Sequence, residues 1–192
     1  MGGAWLCAQL FDHWRFHPNR PLLDRIFPLI KGAVDFMLDT LVQLPGTDLL
    51  VTCPSLSPEN SHPFGSTLCA GPAMDNQILR DLFAAAIEAS ERLGIEAAWR
   101  DNVRAARTRL PIDRIGQAGQ LQEWLEDWDL DAPEPQHRHV SHLYGVYPSQ
   151  QIDTLETPDL ARAAEISLDR RGDDATGWGI GWRLNLWARL GR

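Results

Sequence analysis

A chain of 192 residues with 44% hydrophobic and 23% charged residues has the size and make-up of an ordinary folded domain, which excludes disordered, collagen-like and fibrous classes. Eighteen basic against 26 acidic side chains leave a formal charge of −8, so nucleic-acid phosphates and anionic lipid are repelled at long range and the expected ligand is neutral or cationic. No run reaches the ~18 consecutive apolar residues of a membrane span, and the N-terminus lacks a basic head with a small-residue cleavage site; no membrane span is expected and no compartment is assigned.

In chain order, apolar groups recur at helical steps over 5–14 and stop before Pro18. Asn19 is a good cap and Pro21 suits a first turn, after which the apolar set from Leu22 to Leu41 keeps helical period for over five turns. Pro28 is expected to kink that helix or to mark its true beginning. Residues 45–72, rich in Pro, Ser, Gly and Asn, read as a long loop with one short extended piece at 49–52. Helical spacing returns over 74–93, Gly94 stops it, and a second helix over about 95–110 completes a helical hairpin. Short alternating arms around Gly116 and Gly119 predict a small β-hairpin over 113–124 whose second arm delivers Glu123 beside Trp124. Thr157 and Pro158 open a helix that runs through Leu168 and closes at Gly172. The last segment, 176–190, is apolar on most faces and is expected to be buried from several sides.

Three cysteines, Cys7, Cys53 and Cys69, form no paired set and read as small buried apolar residues. The eight tryptophans are the compositional outlier. Most tryptophan is core, yet several here stand beside His, Glu and Asp, as at carbohydrate sites where sugar C–H faces pack on indole rings. Six or so helices joined alternately by short turns and long polar loops predict an all-α fold, an α/α toroid, rather than a repeat solenoid or a plain bundle.

Three stretches hold candidate chemistry. In Pro54-Ser55-Leu56-Ser57-Pro58-Glu59-Asn60, two prolines fix the backbone around a carboxyl group, which suits a proton donor; a solvated or capping Glu59 is the alternative. The run His137-Arg138-His139-Val140-Ser141-His142 reads as a hydrogen-bonding platform for a polyhydroxylated ligand, as a metal site, or as histidines satisfied in a turn. Its spacing matches no common zinc pattern and Arg138 adds repulsive charge, so no metal is assigned. Glu123, between Gln122 and Trp124, either meets a ligand or belongs to a solvated acidic run. No Gly-rich phosphate loop and no Gly-x-Ser-x-Gly elbow is present, so nucleotide chemistry and serine hydrolysis lack their parts and no cofactor is expected.

Together with Gly2-Gly3-Ala4-Trp5-Leu6, Met74-Asp75, Gly119-Gln120-Leu121-Gln122-Glu123-Trp124 and Thr176-Gly177-Trp178, these stretches run in the order of one family. The chain closely resembles the catalytic domain of glycoside hydrolase family 95, the inverting α-L-fucosidases. The resemblance implies an (α/α)6 barrel and a fucosylated oligosaccharide or glycan as partner, with cleavage of terminal α-L-fucosyl or α-L-galactosyl groups. It places Glu59 on the family's general acid, His139 and His142 in a substrate-contacting stretch, and Glu123 in a motif near the pocket. Ala73 stands where the family usually has Thr. The family's water-holding asparagines and its polarising aspartate find no match within 1–192. The chain is therefore expected to be a partial catalytic domain, truncated at both ends and inactive alone. A glycoside phosphorylase of another α/α-toroid class and a non-catalytic glycan-binding fragment are the rival functions.

Overall fold

The computed structural model describes residues 1–192, a mostly helical chain with six α-helices and two small hairpins. The chain divides into two compact units, Met1–Val51 with Ile78–Leu110, and Thr52–Gln77 with Pro111–Arg192.

In the first unit, α1 (Gly2–Phe16) and α2 (Arg20–Thr40) pack through Ala4, Phe11 and Trp14 against a stripe of Leu23, Ile26, Phe27, Ile30 and Val34. Their junction is set by Asn19, whose side chain accepts the Leu22 N–H at 2.9 Å and whose carbonyl accepts the Trp14 indole N–H at 2.9 Å. Pro28 does not mark the helix start: α2 runs unbroken through it, with Ile26, Phe27 and Ile30 buried on either side of the missing N–H. Residues Val42–Gln43 (β1) and Leu50–Val51 (β2) form an antiparallel pair. The helical hairpin is formed by α3 (Ala73–Leu93) and α4 (Ala97–Arg107). Gly94 turns the chain at φ +71°, and Arg104 to Glu91 together with Arg107 to the Arg80 carbonyl fix the antiparallel pairing. Trp99 of α4 meets Phe27 edge-on at 5.9 Å and donates to Asp35 at 2.6 Å, which ties α4 to α2.

The second unit is organised by its loops. The stretch expected to be one long loop carries a second hairpin, Ser55–Leu56 (β3) with Leu68–Cys69 (β4), antiparallel with Ser55 opposite Cys69. These strands are two residues long, too short for any period to show in the sequence. The hairpin predicted over 113–124 is reduced to one bridge between Ile115 and Leu121. That bridge is framed by the Gly116 N–H to the Gln120 carbonyl at 2.8 Å and the Gln122 N–H to the Arg114 carbonyl at 2.9 Å, while the Leu121 N–H, facing away from the hairpin, donates to the Ala163 carbonyl and Ser167 Oγ of α5 (Pro158–Arg171). A short 3-10 turn, Ser141–Leu143, follows the histidine cluster.

The final helix, α6 (Gly177–Arg189), is not buried from several sides. Gly179, Trp182, Arg183 and Leu186 face inward, while Trp178, Ile180 and Leu184 are exposed. The three cysteines are free and none is fully buried as expected: Cys7 and Cys69 are half-buried, and Cys53, two residues before β3, is exposed.

Replacing Asn19 with Ala removes the α2 cap and leaves the Leu22 N–H without its acceptor. The expected loss is about 1 kcal/mol, read as a lower urea midpoint with unchanged slope.

Candidate active site

The loop between β3 and β4 is closed at its base by the helix that follows it. Thr52 Oγ1 and Ser55 Oγ both donate to Asp75 Oδ2 at 2.6 Å, and the Gly71 N–H donates to the Thr52 carbonyl at 2.9 Å. Burial raises the Asp75 carboxyl above its usual range, opposed by those two hydroxyls.

Beyond the base, residues 57–60 make a tight turn closed by the Asn60 N–H to the Ser57 carbonyl at 2.8 Å. Its two ends reach one carboxylate. Ser57 Oγ donates to Glu123 Oε1 at 2.6 Å, and Asn60 Nδ2 donates to Glu123 Oε2 at 2.9 Å. The middle of the turn is held from another direction: the Pro58 carbonyl accepts from Ser141 Oγ at 2.6 Å and from His139 Nδ1 at 3.1 Å. Glu59 is the one side chain of the turn left outside. It is 62% exposed, and its carboxylate takes a guanidinium hydrogen bond from Arg138.

Glu123 itself is buried, with 1% of its side chain exposed, and forms an ion pair with Arg171, which is 7% exposed. Burial opposes its ionisation, but the Arg171 guanidinium and the Ser57 and Asn60 donors overcome that and hold the carboxyl below its ordinary value. Arg171 also donates to the His139 carbonyl at 2.9 Å, and Arg183 of α6 donates to the Arg138 carbonyl at 2.9 Å. Two buried arginines thus fix the backbone that presents Arg138 and His139.

The sequence candidates therefore separate. Glu59, Arg138 and His139 come together at the surface, joined by Trp178, whose ring lies 5.7 Å from that of His139 and stacks at 5.6 Å on Trp182. Trp178 is 60% exposed, so its indole face is open to a ligand. Glu123 and His142, both expected at a ligand, lie instead beneath this surface, each about 1% exposed. Local chain geometry is the reason. The 3-10 turn carries His142 inward, where its carbonyl accepts from Gln77 at 2.8 Å, and Glu123 is drawn in by its three partners. Burial pushes the His142 imidazole down to about 4, so it is neutral at physiological pH.

Asp129 accepts the Glu123 backbone N–H at 3.2 Å. Burial, reinforced by the neighbouring Glu123 charge, pushes its carboxyl up to about 7. Sequence reasoning singled out none of Ser141, Asp129, Arg171 and Arg183. Ser57 and Asn60 were visible as neighbours of Glu59. Arg171 gave no signal, since a basic residue in the last turn before a glycine reads as an ordinary solvated helix end.

An open indole, an imidazole and a guanidinium around one carboxyl group suit a polyhydroxylated ligand, and similarity sets the chain among the glycoside hydrolases. It belongs to glycosyl hydrolase family 95, whose catalytic-domain description matches residues 1–192. The chain is 39% identical to Alpha-L-fucosidase 2 of Arabidopsis thaliana over 99% of its own length and 23% of that protein's. It is 32% identical to a Probable alpha-fucosidase A of Aspergillus niger, over 97% of this chain and 25% of the relative. A protein of the same description from Aspergillus oryzae is 30% identical over 84% of this chain and 23% of its own length. The chain thus spans about a quarter of the length of these relatives.

Asp129 gives the site a pH signature. Its folded value lies above the unfolded one, so the folded state keeps a proton that the unfolded chain releases, and stability falls as pH rises from about 4 to about 7. The variant Asp129→Asn has no such proton to lose. Its Tm relative to the native chain is expected to climb across that window and then level off; parallel curves would show that Asp129 ionises normally.

Proposed function

We propose that this chain, as part of the full-length protein, carries the acid half of an inverting α-L-fucosidase, with Glu59 as the general acid and a fucosylated glycan as substrate. Family membership and the names of the relatives support fucoside cleavage. The observation that carries the assignment of Glu59 is its setting: an outward carboxyl group on a turn whose other three residues are each tied down.

In the reaction, the bond between the fucose anomeric carbon and the glycosidic oxygen breaks as Glu59 gives its proton to that oxygen. A water oxygen bonds to the anomeric carbon from the opposite face and passes its proton to a base. Inversion needs that base ~6.5–9.5 Å from the acid, with room for the water between them. Trp178 packs on the sugar's C–H face and His139 serves its hydroxyls, while Arg138, paired with the Glu59 carboxylate in the free protein, turns to the sugar's hydroxyls once Glu59 takes up its proton. His139 Nδ1 donates to the Pro58 carbonyl, which leaves Nε2 as the ring atom that accepts from a hydroxyl. Glu123 and His142 support this surface from below. The six helices belong to an (α/α)6 toroid, of which residues 1–192 supply a part.

In the full-length protein, Glu59→Gln is expected to lower kcat on a fucosyl-lactose substrate by about 10² to 10⁴, measured by fucose release. Unchanged turnover would overturn the assignment and favour a non-catalytic glycan-binding role. The 192-residue chain alone is expected to release no fucose, because the family's water-activating asparagine and aspartate motifs have no counterpart in it.

A further inference from the structure

We infer that the buried Glu123–Arg171 pair is a positioning device for the general acid, a role distinct from contact with the sugar; this rests on the reading of Glu59 as that acid. Four observations converge on it. Both oxygens of Glu123 are committed to the turn that bears Glu59, one through Ser57 at 2.6 Å and the other through Asn60 at 2.9 Å. These two residues are the first and last of the turn, so a shift of the Glu123 carboxylate moves both ends together. Arg171 fixes that carboxylate and with its other nitrogen holds the His139 carbonyl at 2.9 Å. His139 and Ser141 in turn grip the Pro58 carbonyl, which immediately precedes Glu59.

One guanidinium therefore sets the turn from both sides. Through Glu123 it holds the ends, and through the 139–141 backbone it holds the middle. Glu59 needs no bond to Glu123 for this to govern catalysis. The proton it gives must travel along a line to the departing oxygen, and a displacement of about 1 Å in such a group costs about 100-fold in rate. The pair also keeps its own chemistry out of the reaction, since Glu123 is 1% and Arg171 only 7% exposed.

The consequence is selective. Protonation matters for a sugar leaving group, which departs as a poor alkoxide, and matters far less for fluoride, which leaves readily without full proton transfer. In the full-length protein, the double variant Glu123→Gln with Arg171→Met removes both buried charges at once, so no unpaired ion is left to unfold the domain. Its kcat on a fucosyl-lactose substrate is expected to fall about 10- to 100-fold, while hydrolysis of α-L-fucosyl fluoride falls less than about 3-fold and KM for either changes little. Ser57→Ala, which removes one tether, is expected to show the same split at about 3- to 10-fold, and it serves as the reporter should the double variant not fold. Glu59→Gln is measured alongside with both substrates. If Glu59→Gln splits the two substrates but the tether variants slow both equally or neither, the positioning role is overturned and the acid assignment stands. If Glu59→Gln itself slows both substrates equally, the acid assignment falls, and the positioning role with it.

Discussion

A carboxylate and a guanidinium taken out of water together, Glu123 and Arg171, are the contact on which the rest of the candidate site depends. Such a pair is a poor source of stability, because desolvating two ions offsets most of their attraction and a well-packed apolar pair of the same volume is often as stable or more so. What it provides is direction. Each carboxylate oxygen accepts at fixed angles, and the guanidinium donates through several nitrogens in one plane, so four segments are aligned at once: the 57–60 turn, the 137–142 stretch, the 121–124 arm and the end of α5. Apolar packing at the same place would hold these segments close without specifying their orientation.

The charges around the pair are graded by the same burial. Glu123 stays ionised because it owns the cation, while Asp129, which accepts from the Glu123 backbone, sits in the field of that same carboxylate and is pushed up to about 7. The His142 imidazole is pushed down to about 4 by burial. One ionised carboxylate, the two guanidinium groups of Arg171 and Arg183, one carboxyl pushed up to about 7 and one neutral imidazole thus lie beneath the surface. Above them, the exposed Arg138 and Glu59 pair with each other.

Much of the helical part was legible in the sequence because helix ends carry local chemistry. Asn19 accepts from Leu22 three residues on, and Gly94 and Gly172 take the positive φ that few other residues tolerate. The carboxyl between two prolines was legible too, as was the histidine run, because density of unusual residue types survives without any knowledge of contacts. The inward turn of Glu123 and His142 was not. It depends on partners 48 to 66 residues away, Arg171, Asn60, Ser57 and Gln77, and no periodicity records bonds between side chains so far apart in the chain. The extended piece expected at 49–52 is β2, but its partner β1 and both strands of the second hairpin escaped for a simpler reason, since a two-residue strand carries no alternation to count.

The final helix joins these strands of argument. Read as a pattern, 176–190 is apolar nearly all round, and an apolar circumference normally means enclosure. Yet its outer residues are not equivalent. Trp178 stacks on Trp182, whose indole N–H donates to the Tyr147 carbonyl at 2.8 Å, so the exposed ring is backed by one that is itself fixed. Arg183, one residue on, holds the Arg138 carbonyl. The helix therefore aligns an open aromatic face and the backbone of the guanidinium beside Glu59 from consecutive residues of a single rigid element. Trp178, Arg138 and His139 are thereby held at a spacing the helix sets, and the exposed indole at 178 has a place that core packing does not supply.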